Sequence, residues 1–280
     1  MRYRMSWISS VLLLVATPAL AGTILGRVNL VGDFPRQDYD RLVKNHRDLS
    51  LQMLLAMSKR NEGGGDMAMS DHSGHKRDGG GMAMEHCHNC TMTASAYVVS
   101  PDGGVANAII SLPQIKGAKT AVRKFVSEQR VGKFVPHVMA VPVGTRVEFF
   151  NRDPVGHNLH SRSRAARFNK MLAERDSKIT VTFKRQGLVR INCDLHDHMQ
   201  MFILVTPNPY NAVSAPDGTF RISGVPAGRH KVQMWHEKFG TLTADVEVPR
   251  DGEVEVNFEV KLTPEQAAEI KKYSAVTPMI

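Results

Sequence analysis

The sequence predicts an all-β protein: a β-sandwich with a helical, Met/His-rich insertion, followed by a second, smaller β-sandwich. Three observations predict it. Short alternating segments such as VEFFN, ITVTF and LVRIN recur along the chain, each with one apolar face. Gly-Thr, Gln-Gly, Pro-Asp-Gly and Arg-Asp-Gly turns separate them. A length of 280 residues fits about two domains, and 42% hydrophobic with 22% charged residues is a globular composition.

The N-terminus stands apart. Arg2 and Arg4 precede a short apolar run, then Pro18 and Ala19-Leu20-Ala21. A basic start, a short apolar centre and a small-x-small end read as a secretory signal over 1–21, cleaved near Ala21. The run is short for a membrane span. No later stretch is long and apolar enough, so no stable membrane insertion is expected. The mature chain is then expected outside the cytoplasm, most simply in a periplasm. Without Arg2 and Arg4 the chain keeps 34 basic against 27 acidic residues, or +7. A secreted chain rarely meets nucleic acid, so this charge points to acidic protein partners.

The first domain is expected over 22–206. GTILGRVNLVGDFP alternates and ends in turn residues, an opening strand. Tyr39, Leu42, Val43, His46, Leu49, Met53, Leu54 and Met57 recur at helical spacing. Residues 61–81, rich in Gly, Asp, Ser, Met and His, read as a loop, so that 36–93 forms an insertion. SAYVVSPDGGVANAIISL predicts two strands around a Pro-Asp-Gly-Gly turn. VPHVMAVPVGTRVEFFN, KITVTFK, LVRINC and FILVTP predict the remaining strands. A second domain is expected over 207–262, its strands broken by Pro-Asp-Gly, Val-Pro-Ala-Gly and Arg-Asp-Gly. Thr263-Pro264-Glu265-Gln266 then opens a helical tail over 263–280, with Thr263 as N-cap and Gln266 closing a capping box.

Chemistry concentrates in VRINCDLHDHMQMF. Cys193, His196 and Met199 offer a thiolate, an imidazole and a thioether on one short loop, a donor set that suits copper far better than magnesium or calcium. A trigonal copper site needs a second imidazole. NRDPVGHNLHS supplies His157, after a strand and a turn that bring it to the same end of a sandwich. Zinc would use the cysteine and two histidines with water in place of the thioether, which is a poor zinc ligand. A buried core cysteine is the plainest alternative. Met201 is a second candidate for the axial position. His198 is expected to face solvent, His160 to be structural or exposed, and His137 to be packed.

GTRVEFFNRDPVGHNLH, then ITVTF, then the cysteine loop with its two-residue spacers resemble the cupredoxins, and among them the amicyanin and plastocyanin type. The resemblance is close over 134–205 and looser over 22–30 and 94–112. It implies a Greek-key sandwich and one type 1 copper held by His157, Cys193, His196 and Met199. It also implies that Asn158 ties the two ligand loops together. SAPDGTFRISGVPAGRHKVQMWHEKFG resembles the carboxypeptidase regulatory-like, transthyretin-like sandwich, which implies a structural or interaction module.

The insertion departs from that pattern. Met67, Met69, His72, His75, Met82, Met84, His86, Cys87, His88, Cys90 and Met92 lie on a Gly-rich tether. Thioethers prefer Cu(I) and imidazoles accept either oxidation state, so additional copper there is a second expectation. Cys87 and Cys90 form a small disulfide, form part of a metal site or stay free thiols. With three cysteines in an oxidising compartment, Cys193 is the one left over.

The expected function is thus single-electron transfer without catalysis. The expected partner is a redox protein such as a c-type cytochrome or a periplasmic dehydrogenase, with His196 as the electron port. The alternative is copper handling, in which the insertion captures, buffers or delivers the metal.

Overall fold

The computed structural model describes residues 21–44, 96–116, 118 and 124–274. The predicted signal, most of the predicted helix after residue 44 and the Met/His-rich run lie outside the described residues. So do Cys87 and Cys90.

Two strands come first, β1 (Ala21–Leu30) and β2 (Ile109–Ser111). Nine follow: β3 (Lys124–Gln129), β4 (Phe134–Val135), β5 (Val138–Pro142), β6 (Arg146–Asn151), β7 (His157–Arg162), β8 (Arg167–Leu172), β9 (Lys178–Thr182), β10 (Gly187–Asn192) and β11 (Gln200–Thr206). The chain ends with β12 (Asn211–Val213), β13 (Thr219–Pro226), β14 (Gly228–His236), β15 (Gly240–Val248), β16 (Glu253–Glu255), β17 (Phe258–Val260) and helix α1 (Pro264–Ser274).

The protein is all-β, arranged as four sheets in two pairs. β5-β11-β10-β7-β8 and β4-β3-β6-β9 enclose one core, built on Phe149, Phe183, Leu159, Val189 and Ile191. β13-β1-β16, with β17 also on β1, and β12-β2-β14-β15 enclose the other, built on Ile24, Val28, Ile110, Val232 and Met234. Alternation explains both. In β6 the residues Val147, Phe149 and Asn151 are buried while Arg146 is exposed, the period-2 pattern of a strand with one face on a core.

One expectation about chain organisation is corrected. Residues 22–30 and 94–112 were assigned to the first domain, yet β1 pairs with β13, β16 and β17, and β2 pairs with β12 and β14. The second sandwich is therefore discontinuous, and the sheets formed by 124–206 are inserted between β2 and β12. Alternation in GTILGRVNL reports a buried face but not which strands cover it. Gly26 shows how closely they do: a Cβ there would lie 1.8 Å from the Val256 carbonyl oxygen. A second correction concerns SAYVVSPDGGVANAIISL. Only Ile109–Ser111 forms a continuous strand, and Val99 meets Val105 through an isolated bridge.

The two sandwiches meet along β5 and β11 on one side and β2, β12 and β14 on the other. Ile109, Val138, Ala140 and Phe202 form a buried cluster there, with Trp235 packed against it. The Phe202 and Trp235 rings lie 5.4 Å apart. His137, edge-on to Phe202, binds Glu237 across this boundary. Trp235 is thus half-buried against this boundary. Helix α1 opens on a reciprocal pair: Gln266 N–H donates to Thr263 Oγ1 at 3.2 Å and Thr263 N–H donates to Gln266 Oε1 at 2.8 Å.

Candidate metal centre

The site lies at one end of the inserted sandwich, where three strand ends converge. β10 stops at Asn192, so Cys193 begins a seven-residue connection that ends at Met199, before β11. β7 opens on His157 and runs antiparallel to β10, with Asn192 opposite His160. The topology therefore delivers His157 to the cysteine loop from 36 residues away.

Two backbone hydrogen bonds shape the loop. Met199 N–H donates to the His196 carbonyl at 2.8 Å, and Cys193 N–H donates to the Met199 carbonyl at 3.0 Å. The loop is thus closed on itself, with Cys193 and Met199 1% exposed, His157 1% exposed and His196 half-buried. His157 Nδ1 and His196 Nδ1 are 2.9 Å apart, and Cys193 Sγ is 3.9 and 3.6 Å from them. Candidate ligand atoms of all three residues lie within 4.8 Å of one another.

The surrounding polar groups fix these side chains. Asn158 Nδ2 donates to Asp194 Oδ2 at 2.8 Å, while Asp194 N–H donates to Asn158 Oδ1 at 2.6 Å. This reciprocal pair joins the His157 loop to the Cys193 loop. Asn151 Nδ2 donates to the Val155 carbonyl at 2.7 Å, and its Oδ1 accepts from Asp153 N–H at 2.9 Å, which sets the turn before His157. Buried Gln129 donates to the Asn158 carbonyl at 3.3 Å.

Asp153 is the residue of this cluster that the sequence pattern did not single out. It is 3% exposed and accepts from Val131 N–H, Gly132 N–H and His157 Nε2 at 2.6, 2.9 and 2.9 Å. With Nε2 held by a carboxylate, Nδ1 of His157 is left facing Cys193, the outer-partner arrangement that orients metal-binding imidazoles. The available signal was the spacing Asp153-x-x-x-His157, which reads equally well as an ordinary Asn-Arg-Asp-Pro turn.

Burial pushes the Asp153 carboxyl up, but its hydrogen bonds from His157 and from the Gly132 and Val131 amides outweigh this and hold it below the usual range. Burial opposes charge on His157 too, and the bonds to Asp153 and Cys193 reverse that, so its pKa is raised. For Cys193 burial again opposes ionisation. Contacts with His157, His196 and the Asn158 amide prevail and bring the thiol down to about 6. The arrangement therefore favours a thiolate, the form that binds metal.

The remaining sequence candidates fall outside this cluster or at its edge. Met201 is fully buried in the core and receives the Ser127 hydroxyl at 3.7 Å. His198 is half-buried rather than solvent-facing, with its ring 6.1 Å from His196 and its Nε2 beside Gly132. The loop turns back toward β3 and β4 there, which one-dimensional spacing does not reveal. His160 binds Asp194 at 2.7 Å, and His137 is engaged at the boundary between sandwiches. The copper candidates between Met67 and Met92 lie outside the described residues.

The chemistry of the donor set can be tested against the geometry. Two ligand atoms each about 2.0–2.3 Å from one ion lie no more than about 4.6 Å apart, and separations of 2.9, 3.6 and 3.9 Å meet that limit. One thiolate and two imidazoles, with a thioether on the same loop, suit copper.

No helix among the described residues is long and apolar enough to cross a membrane. No protein-family model matches the chain, and no curated protein matches it. Among solved structures, the chain is similar to a purple cupredoxin from Nitrosopumilus maritimus, at 21% identity over 29% of this chain and 99% of that one, with a TM-score of 0.27. It is similar to a point mutant of amicyanin in the Cu(I) state, at 21% identity over 34% of this chain and 97% of that one, TM-score 0.28. A copper-containing nitrite reductase from Thermus scotoductus SA-01 is similar at 24% identity over 33% of this chain, TM-score 0.27, and only 25% of that reductase is spanned.

Proposed function

We propose that His157, Cys193, His196 and Met199 would hold one type 1 copper, and that the protein carries single electrons between redox partners outside the cytoplasm. The observation that supports this best is the convergence of one thiol and two imidazole nitrogens, all within 4.8 Å, from two loops tied to each other. Copper bound there supplies a Cu(II)/Cu(I) one-electron couple. Asp153 orients His157, Asn158 and Asp194 lock the two loops together, and Met199 and the surrounding core exclude water from the thiolate. A site held this way changes little between oxidation states, which suits a carrier rather than an enzyme. His196, the most accessible of the three, is the electron port. The second sandwich, whose sequence over 207–262 resembles the carboxypeptidase regulatory-like module, serves as scaffold.

A second reading, copper capture or delivery, rests on the run of methionines and histidines from Met67 to Met92. Copper titration of the full chain and of a chain lacking 61–92 separates the two. The carrier reading expects one tight copper in both, with one electron taken up reversibly per copper. Several coppers in the full chain and no reversible electron uptake would establish handling instead.

A further inference from the structure

Outside the metal cluster, the most unusual feature is the charge on the exposed face of β10, β7 and β8. Asn192 stands opposite His160, and His160 opposite Asn169. Two residues along, on the same face, Arg190 is level with Arg162, and Arg162 is directly opposite Arg167. Arg190 N–H donates to Ser163 Oγ at 2.9 Å, which fixes that level. All three arginines are exposed. Arg164 and Arg185 line an adjoining cleft and extend the same charge.

Like charges directly opposite on a sheet are unfavourable. Several other basic side chains among the described residues are paired with acids. Arg221 binds Glu253, Arg152 binds Asp176 at 2.6 Å, and Lys124 binds Glu148 at 2.9 Å. Among the described residues, Arg162, Arg167 and Arg190 form no ion pair with a carboxylate within 4.0 Å. Their hydrogen-bond partners are not carboxylates: Arg190 donates to Asn192 at 3.2 Å and to Gln200 at 2.9 Å, and Arg162 donates to His160 Nε2 at 3.4 Å. The nearest acid, Asp194, is already bound by His160, Asn158 and Asn169 at 2.7, 2.8 and 3.3 Å. Two clefts of about 370 and 410 Å³ open between these side chains, one lined by Arg162, Arg190 and Asp194, the other by Arg162 and Arg167.

We propose that this face docks an acidic protein surface, with clustered carboxylates of the partner paired to Arg162, Arg167 and Arg190. The row spans three strands and continues past them, which matches a protein surface better than a single small anion. Asp194 lines the same cleft and follows Cys193, so a partner seated here lies beside the candidate centre. The inference stands on the charge and register of this face and does not depend on a metal.

The test uses the full chain without metal, isotope-labelled for amide NMR, and two probes: a hexaglutamate peptide and inorganic phosphate at matched ionic strength. The peptide is expected to shift amides of β7, β8 and β10. Its affinity is expected to fall about tenfold or more when Arg162, Arg167 and Arg190 are all replaced by Gln, and to weaken as salt rises from about 0.01 to about 0.15 M. Arg229→Gln, in the second sandwich, is expected to leave it unchanged. Peptide shifts confined to another face would overturn the proposal, as would the absence of any shift. So would phosphate binding as tightly as the peptide, which would make this a small-anion cleft. Because the shifts are read first in the unaltered chain, a variant that fails to fold leaves the proposal open to refutation.

Discussion

The inserted sandwich and the sandwich that hosts it differ in where they place polar groups. In the host, exposed charges meet opposite charges, as in Arg27 with Asp102 and Arg221 with Glu253, and its buried polar side chains, Ser214 and His236 among them, are not gathered into a metal-ligating cluster among the described residues. In the insert, one end buries His157, Cys193, Asn158 and Asp153 together, and one face carries three exposed arginines that form no ion pair among the described residues. Burying polar groups is costly unless each is bonded, and here each has a partner. The difference lies in the gathering of one thiol and two imidazoles at one end of the insert.

Changes at the centre should break the comparison most. Cys193→Ser is expected to abolish tight copper binding while leaving the fold intact, measured by copper retention after dialysis against a weak chelator. A core truncation should have the opposite signature. Phe220→Ala in the host is expected to cost about 3–5 kcal/mol of folding stability, measured by denaturant unfolding, with copper affinity per folded molecule unchanged.

The boundary supplies a pH test. Burial pulls His236 from its ordinary 6.5 down to about 4. Between those values the unfolded chain takes up a proton that the folded chain does not. Stability therefore falls as pH drops through that window, by up to about 3 kcal/mol for this group. His236→Asn is expected to flatten the slope of unfolding free energy against pH over that range. An unchanged slope would show that His236 is not held neutral by burial.

Two smaller effects sharpen the picture. Asn158→Ala removes the link between the ligand loops and is expected to weaken copper binding by about 10- to 100-fold, read by competition with a chelator. Thr263→Ala removes the N-cap of α1 and is expected to cost about 1 kcal/mol, read by thermal unfolding, with no effect at the centre.

The comparison also shows what one dimension can carry. Cys193, His196 and Met199 were legible because their spacing is short and local. His157 was legible because a strand and a turn precede it. Asp153 was not, since a carboxylate in Asn-Arg-Asp-Pro resembles any turn residue until the amides of Val131 and Gly132 are brought to it by β3 and β4. The host's use of β1 was hidden for a related reason: alternation shows which face is buried, while partner choice depends on residues some two hundred positions away. The arginine row became visible only through register, because Arg190 is 28 residues from Arg162 in sequence and level with it in the sheet.

The central claim is that Cys193 binds copper as a thiolate in company with His157 and His196. The visible absorption spectrum of the copper-loaded full chain, set beside Cys193→Ser prepared in the same way, tests it most directly. The account predicts an intense thiolate-to-copper charge-transfer band in the oxidised protein, bleached on addition of one electron per copper and missing from the variant. A copper-loaded protein without that band, or a variant that retains it, would contradict the account.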